Sequence, residues 1–252
     1  MGIDNLKTIH SFLENSAQNF PDKEALISED QRISYAEVND RADRVRNFLA
    51  SRYSKSDRIA VMLDNSVDFV VTYFGILKAG CCAVLFSPVV SNENFAFQIK
   101  NSGAKCIFTQ EKYKQRISRT NVGNMIDIFD WSKDKIDYHG KINMPEVSEN
   151  DLCSLIYTSG TASFPKGVEL RHRNVVAASK NIVEFLKINS DDTYLNILPL
   201  SHSFGLGHIH ISFMIGGKVV IEKNAINLKK ILTRIKEEKA TFFAAAPITL
   251  KL

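Results

Sequence analysis

Short apolar segments alternate with helical patterns along most of this chain, and that alternation constrains the fold more than any other feature. The first clear pair is "SYAEVNDRADRVRNFLASR" (Ser34 to Arg52), which spaces Ser34 and Glu37 as a capping box, and the apolar run "DRIAVMLDN" after it. Strands buried on both faces are apolar throughout, and parallel strands need a crossover connection. The alternation therefore predicts an α/β fold with mainly parallel β-sheets covered by helices.

The same two patterns predict the remaining elements. Helices are expected over "SVDFVVTYFGILKAG", which Gly80 ends, and over "NENFAFQIKNSG", "RNVVAASKNIVEFLKIN" and "NLKKILTRIKEEK". Strands are expected over "CCAVLFSP", "AKCIFTQ", "LCSLIYTSG", "TYLNILPLS", "GGKVVIEKN" and "TFFAAAP". A polar stretch interrupts the pattern, and we expect either a subdomain boundary around residues 121–150 or a hairpin insertion there.

Charge and cysteine content argue against several classes of protein. The 32 Lys and Arg residues and the 28 Asp and Glu residues are spread along the chain, whereas a nucleic-acid partner needs a basic stripe or patch. The densest basic stretch, Glu111 to Arg119, is interpreted as a solvated surface segment. No segment is typical of a signal peptide or a transmembrane helix. The cysteines do not have the spacing of metal ligands; they are Cys81, Cys82, Cys106 and Cys153. We therefore expect no metal site, no disulfide framework and a cytoplasmic location.

The segment "YTSGTASFPKGVEL" (Tyr157 to Leu170) leaves a predicted strand and concentrates hydroxyl groups, glycine and a lysine. Ligands of parallel sheets lie beyond the carboxyl ends of the strands. Hydroxyl groups, unencumbered backbone N–H groups and a positive charge together suit an anion. On composition alone the segment also fits a surface turn. The candidate anion-binding residues are Thr158, Ser159, Gly160, Thr161 and Lys166.

A Walker-type P-loop, G-x-x-x-x-G-K-[ST], does not fit this segment. Counting from Gly160, Pro165 stands at the second glycine and Gly167 at the hydroxyl residue. Proline removes a backbone N–H and fixes φ, and glycine has no hydroxyl for Mg²⁺. A Walker-type kinase or ATPase is therefore the least favoured function.

The segment instead resembles the phosphate loop of the adenylate-forming (AMP-binding) superfamily, which includes acyl-CoA synthetases, amino-acid adenylation domains and firefly-type luciferases. The family pattern is Y-T-S-G-[ST]-T-G-x-P-K-G-V, and nine of its positions match. "ISYAEVNDRA", "GILKAGCCAVLFSP" and "LPLSHSFGLG" resemble three further family segments in the same order. The resemblance thus covers essentially the whole chain and implies the N-terminal subdomains of an adenylate-forming enzyme.

The resemblance implies an activity. Family members activate a carboxylate with MgATP, form an acyl-adenylate, release pyrophosphate and pass the acyl group to a thiol. ATP and Mg²⁺ are the implied cofactors, and coenzyme A or a carrier-protein thiol is the implied acceptor. Thr158 to Thr161 and Lys166 would hold the β- and γ-phosphates, and His202, the candidate catalytic residue, would lie beside the carboxylate pocket.

Without the family match, His202 would be interpreted as a partly buried histidine that closes a strand. His208 and His210 are interpreted as structural or wall residues. Amino-acid-activating relatives usually carry Phe-Asp near this point, whereas this chain has "HSFGLG" without an acid. A buried ammonium needs a partner, so the resemblance favours a fatty or aryl acid over an amino acid as the small-molecule partner.

The sequence departs from the family pattern in two ways. Ala162 and Ser163 stand where the family has Thr-Gly. Complete members are also longer: their metal-binding glutamate, ribose-binding aspartate and C-terminal lid domain with its lysine have no counterpart up to Leu252. We therefore expect residues 1–252 to be the N-terminal part of an AMP-binding domain that does not complete adenylation alone.

Two hypotheses of different classes remain. The first is a portion of an acyl-CoA-synthetase-like ligase. The second is a non-catalytic nucleotide- or acyl-binding fragment, or one half of a split ligase. Ala162 and Ser163 favour the second, because lost catalysis permits such changes. An unfinished apolar face also predicts self-association.

Overall fold

The computed structural model describes residues 3–29, 31–122, 124–131, 142, 146–158, 164–223 and 227–245. The chain divides into two compact units. Unit 1 comprises Met1–Asp40, Asp64–Val70 and Arg173–Leu252, and unit 2 comprises Arg41–Leu63 and Val71–His172. Each unit contains one β-sheet.

The described helices and strands are as follows. A short 3-10 helix, Ile3–Asn5, precedes α1 (His10–Asn19), α2 (Tyr35–Ala50), α3 (Val67–Lys78), α4 (Asn92–Ser102), α5 (Glu111–Ser118), α6 (His172–Leu186), α7 (Ser203–Ile215) and α8 (Leu228–Glu237). The strands are β1 (Glu24–Ile27), β2 (Arg32–Ser34), β3 (Arg58–Met62), β4 (Cys82–Leu85), β5 (Cys106–Thr109), β6 (Asp127–Asp130), β7 (Leu152–Thr158), β8 (Lys166–Arg171), β9 (Thr193–Asn196), β10 (Lys218–Ile221) and β11 (Phe242–Phe243). No helix in the described part of the chain is long and apolar enough to cross a membrane.

The sheet of unit 2 has the strand order β6-β5-β3-β4-β7-β8. Its neighbours pair in parallel except β7 and β8, which are antiparallel. Helices α4 and α5 connect β4 to β5 and β5 to β6, as parallel neighbours require. Strands β4 and β5 are buried at every position, which confirms that their continuous apolar runs mark doubly covered strands.

The sheet of unit 1 has the order β11-β9-β10-β1-β2. It is parallel except for the β1–β2 pair. Helix α7 connects β9 to β10, and α8 connects β10 to β11. Both sheets together confirm the predicted α/β class.

The predicted helix boundaries have a physical basis in the structure. The Ser34 amide donates to Glu37 Oε2 at 2.9 Å, and the Glu37 amide donates to Ser34 Oγ at 3.3 Å, so the capping box at the start of α2 is confirmed. Gly80 and Gly103 have φ of 70° and 64°, the left-handed region that glycine adopts freely. Both therefore end their helices as predicted.

The lysine of the family-like "LKAG" segment has a structural partner. Lys78 Nζ lies 2.6 Å from Asp43 Oδ1, and the lysine side chain is only 2% exposed. A buried ammonium requires such a carboxylate, since an unpaired charge is strongly destabilising in the interior. The pair joins α3 to α2 within unit 2.

The cysteines are free and buried. Burial raises the pKa of the Cys82 thiol and of the Cys153 thiol to about 12. These side chains are protonated at neutral pH and pack as small apolar groups.

Several elements differ from the sequence-based expectations. The sequence predicts no strand between the phosphate-loop segment and the helix over "RNVVAASKNIVEFLKIN", but Lys166–Arg171 forms β8. Helix α7 was not predicted, and β6 lies inside the stretch expected to be irregular. The basic stretch at 111–119 forms α5, which buries only Ile117. The boundary around 121–150 stays a prediction, because residues 132–141 and 143–145 lie outside the described residues.

Candidate functional site

The phosphate-loop segment forms an antiparallel hairpin in unit 2. Thr158 at the end of β7 pairs with Lys166 at the start of β8, and Thr158 Oγ1 donates to the Lys166 carbonyl at 3.5 Å. Both side chains are exposed. Ser159, Gly160 and Thr161 lie outside the described residues, so their predicted phosphate contacts stay predictions. The β7–β8 pairing thus brings the Thr158 hydroxyl and the Lys166 ammonium to the same end of the hairpin.

The hairpin geometry supports the rejection of a Walker-type loop. A Walker loop connects a strand to a helix, and its lysine lies where the helix begins. Here Lys166 begins a strand instead. The described residues of the segment therefore do not have the geometry of a Walker-type loop.

Gly167 provides the space for the tyrosine that precedes the loop. A Cβ at this position would lie 3.0 Å from Leu155 Cδ1 and 3.3 Å from Tyr157 Cε1. The register also places Gly167 opposite Tyr157 on the neighbouring strand. The glycine of the "PKG" segment therefore has a packing role.

His202 lies in unit 1, at the N-cap position of α7. Its backbone is extended, with φ of −110° and ψ of 146°, and its side chain makes no capping hydrogen bond. The residue is exposed, so the interpretation as a partly buried histidine closing a strand is wrong: β9 ends at Asn196, and a turn carries His202 outwards. Its imidazole is available to a ligand.

Close packing fixes the turn that carries His202. The His202 amide donates to the Pro199 carbonyl at 3.1 Å. A Cβ on Gly205 would lie only 2.3 Å from the same carbonyl oxygen. Only glycine permits this approach of α7 to the turn, which explains the glycine in "PLSHSFG".

Asn65 also holds this turn, and the sequence analysis missed it. Its Nδ2 donates to the Leu198 carbonyl at 2.8 Å and to the Glu222 carbonyl at 3.2 Å, and its Oδ1 accepts from the Leu200 amide at 2.8 Å. A single polar residue after a strand carries no periodic signal. Asn65 nevertheless satisfies three backbone groups around the candidate catalytic histidine.

An apolar groove follows His202 along α7, between α7 and α6. Its volume is about 630 Å³. Among the described residues that line it, none is acidic. The lining consists of Asn181, Ile182, Phe185, Leu186, Ser203, Phe204, Gly207, His208 and Ile211.

His208 contributes an aromatic wall to the groove. Its ring stacks on Tyr194 with centroids 4.3 Å apart and planes at 9°. Its Nδ1 lies 2.7 Å from the Phe204 carbonyl, which can only accept, so Nδ1 carries the proton. Burial lowers the pKa of His208, partly offset by this hydrogen bond. The groove is therefore lined by an imidazole that favours its neutral form.

Comparison with known proteins places these features in context. A family model described as "AMP-binding enzyme" matches residues 13–252. Bacitracin synthase 2 of Bacillus licheniformis is 29% identical over 248 residues, which are 97% of this chain and 9% of that protein. Zwittermicin A synthase ZmaJ of Bacillus cereus is 30% identical over 84% of this chain and 40% of its own length.

Solved structures with this fold are also similar. O-succinylbenzoate coenzyme A synthetase (MenE) of Bacillus subtilis, in complex with AMP, has a TM-score of 0.87 and 26% identity over 95% of this chain and 62% of its own. A long-chain-fatty-acid CoA ligase of Rhodopseudomonas palustris, described as putative, has a TM-score of 0.90 over 97% of this chain and 64% of its own. At 19% identity the second likeness shows the fold alone. The chain spans less than two thirds of these proteins.

Proposed function

The chain belongs to the AMP-binding enzyme family, and on that premise we propose that it serves the ATP-dependent activation of a carboxylic acid. The carboxylate attacks the α-phosphorus of ATP, the acyl-adenylate forms and pyrophosphate leaves. A thiol of coenzyme A or of a carrier protein then attacks the acyl carbon, and AMP departs. The observation that supports the proposal is the β7–β8 hairpin, which pairs Thr158 with Lys166 at the end from which the loop leaves.

The loop would act by positioning and charge neutralisation. Lys166 supplies a point charge, and the hydroxyl and amide groups of residues 158–161 would donate to the β- and γ-phosphate oxygens. Holding pyrophosphate in line favours its departure. Mg²⁺ bound to the nucleotide phosphates would neutralise part of their charge.

His202 would lie beside the carboxylate of the acid. Its exposure and its fixed turn support this role, because a donor held rigidly in place orients a bound carboxylate without further ordering. The apolar groove begins at the next residue, Ser203, and would take the remainder of the acid.

The lining of the groove favours an acid with an uncharged tail. An α-ammonium group buried there would need a carboxylate partner, and the described lining offers none. We therefore propose a fatty or aryl acid in preference to an amino acid. The MenE complex with OSB-AMP is a relative's example of a bound acyl-adenylate.

Exchange of labelled pyrophosphate into ATP tests the reaction and its substrate class together. A panel of fatty, aryl and α-amino acids is compared at equal concentration. We expect exchange with the first two classes only, in a chain of the full length of the family relatives. An α-amino acid as the best substrate would contradict the substrate assignment, whereas binding of MgATP without exchange for any acid would favour the non-catalytic alternative.

The 252 residues alone are proposed to bind nucleotide phosphates without completing acyl transfer. They span 62% of the MenE chain. Ala162 and Ser163 weaken the loop further, and Ser163→Gly should raise the affinity for MgATP. An unchanged dissociation constant would show that the loop needs no glycine there.

Self-association is proposed from exposed apolar side chains outside the groove that would take the acid. Val89 is 91% exposed, Leu232 57% and Leu228 39%. Exposed apolar surface of this kind is typical of an interaction site. Sedimentation should show a dimer at high concentration, and a monomer across a wide concentration range would contradict the proposal.

A further inference from the structure

Helix α4 contacts the phosphate-loop hairpin on both sides of the loop. The helix is well fixed itself: Ser91 caps its N-terminus by accepting from the Asn94 amide, and Gly103 ends it with φ of 64°. Phe95 and Ile99 bury its inner face in the core of unit 2. A helix anchored in this way can hold a neighbouring loop.

The first contact lies before the loop. The Tyr157 hydroxyl donates to Asn101 Oδ1 at 2.7 Å, and the Gln98 carbonyl lies 3.2 Å from the same oxygen. Burial, partly offset by Arg58, raises the pKa of Tyr157 to about 12, so the phenol keeps its proton at neutral pH. The single proton favours the shorter bond, which makes Asn101 the main acceptor.

The second contact lies after the loop. Phe164 stacks on Phe97 with ring centroids 4.8 Å apart and an interplanar angle of 23°. Phe164 is 49% exposed, whereas Phe97 packs against the core of unit 2. Offset stacking of this kind favours one position of the exposed ring over others. It thereby holds the chain two residues before Lys166.

A third contact joins the same helix to β8. Arg58 Nη1 donates to the Ser102 carbonyl at 2.9 Å, and Arg58 Nη2 lies 2.7 Å from Glu169 Oε1. Phe97 and Asn101 are one helical turn apart and therefore share a face of α4. The hairpin is thus held at its two stems and along its second strand.

We propose that Phe97 and Asn101 are positioning residues of the phosphate loop. Contacts that fix Tyr157 and Phe164, the described stems on either side of the loop, before the phosphates bind would lower the entropy lost on binding. The inference rests on the proposed function, because it assumes that this loop contacts the β- and γ-phosphates. Both residues would act through Tyr157 and Phe164 and not by contact with the nucleotide.

Hydrogen exchange of the ligand-free protein tests the positioning directly. Phe97→Leu removes the stacked ring and Asn101→Ala removes the acceptor, whereas Phe97→Tyr and Asn101→Asp keep them. Lys100→Ala is the matched control, since Lys100 is exposed on the same helix. We expect faster exchange in the peptide covering 158–166 for the first two variants alone. The proposal would be overturned if this peptide exchanged at the same rate in the two variants as in the unaltered protein. It would also be overturned if the peptide of the unaltered protein already exchanged as fast as a free peptide.

Nucleotide binding supplies the second readout. Phe97→Leu and Asn101→Ala should each raise the dissociation constant for MgATP and for inorganic pyrophosphate roughly three- to tenfold. Affinity for AMP should not change, since AMP lacks the phosphates that the loop holds. Equal loss for AMP and ATP would indicate a general structural defect and overturn the proposal. If the unaltered protein binds neither ATP nor pyrophosphate, the proposed function is refuted together with the positioning role. If the unaltered protein and both variants bind them equally well, the positioning role alone is refuted.

Discussion

The two candidate segments, one in each unit, differ in how the protein holds them. The turn at 199–202 is fixed from within: Asn65 bonds to backbone groups around it, and Gly205 packs directly on the Pro199 carbonyl. The β7–β8 hairpin is exposed along β8 and is held from outside by side chains on α4. The histidine segment is therefore part of a packed core, and the phosphate segment is a supported loop.

This difference predicts different consequences of mutation. Changes around the turn should lower the free energy of unfolding, because backbone packing and buried hydrogen bonds are lost. Changes at the loop end of the hairpin should lower affinity and leave stability nearly unchanged.

Gly205→Ala should have the largest effect on stability. The added Cβ would lie 2.3 Å from a backbone oxygen, so α7 must shift, at a loss of about 3 kcal/mol in the free energy of unfolding. Gly207→Ala on the same helix is the control, because no atom lies within 4 Å of its Cβ position. Urea denaturation measures both, and equal midpoints for the two variants would contradict the packing argument.

Asn65→Ala should rank second. It leaves the Leu200 amide and two carbonyl groups without their partner, for a loss of about 2 kcal/mol. The ring proton shifts of His202 should change in NMR spectra, because the turn loosens. Asn65→Asp retains the acceptor for the Leu200 amide but places a carboxylate oxygen against the two carbonyl groups, so it should destabilise at least as much as Asn65→Ala. If Asn65→Ala destabilised the protein without changing the ring proton shifts of His202, Asn65 would not be what holds the turn.

Lys166→Ala should change affinity rather than stability. Loss of one charge-assisted contact should raise the dissociation constant for MgATP roughly tenfold, while the free energy of unfolding stays within about 0.5 kcal/mol. Titration calorimetry and urea denaturation of one preparation give both values. Destabilisation comparable to that of Asn65→Ala would show that the two segments are held alike.

The smallest effect concerns pH at the groove. Burial lowers the folded-state pKa of His208 below its ordinary value, so the unfolded chain takes up its proton first as the pH falls. Neutral His208 contributes fully to the free energy of unfolding above the pKa of the unfolded chain, about 6.5. This contribution decreases as the pH falls from there to the lowered pKa of the folded protein. Stability measured between pH 7.5 and pH 5 should fall less steeply in His208→Gln. An identical slope in both proteins would exclude this histidine as the cause.

The sequence predicts those parts of the fold that local chemistry determines. The capping box at Ser34 and the stops at Gly80 and Gly103 need only neighbouring residues, and fully buried strands are apolar at every position. Strand β8 was missed because it is exposed, and pairing with β7 forms it. Helix α7 was missed because it is apolar around most of its circumference and shows no 3.6-residue period.

The candidate site was predicted from motif resemblance, not from periodicity. The resemblance located Thr158, Lys166 and His202, whose functional roles stay predictions. It did not indicate Asn65, Phe97 or Asn101, because each acts through residues distant in the sequence. Such contacts become visible only in three dimensions.

The sheet order also determines when each unit can fold during synthesis. Strands β3 to β8 are contiguous in the chain, so the sheet of unit 2 can form once residue 171 has left the ribosome. Strand β1 pairs with β10, and the Ser16 hydroxyl donates to a carbonyl 197 residues later, at Phe213. At a translation rate of about 5–20 residues per second, β1 has only β2 as a partner for roughly 10–40 seconds before β10 is made. By the time β10 emerges, every strand of the unit 2 sheet has already left the ribosome.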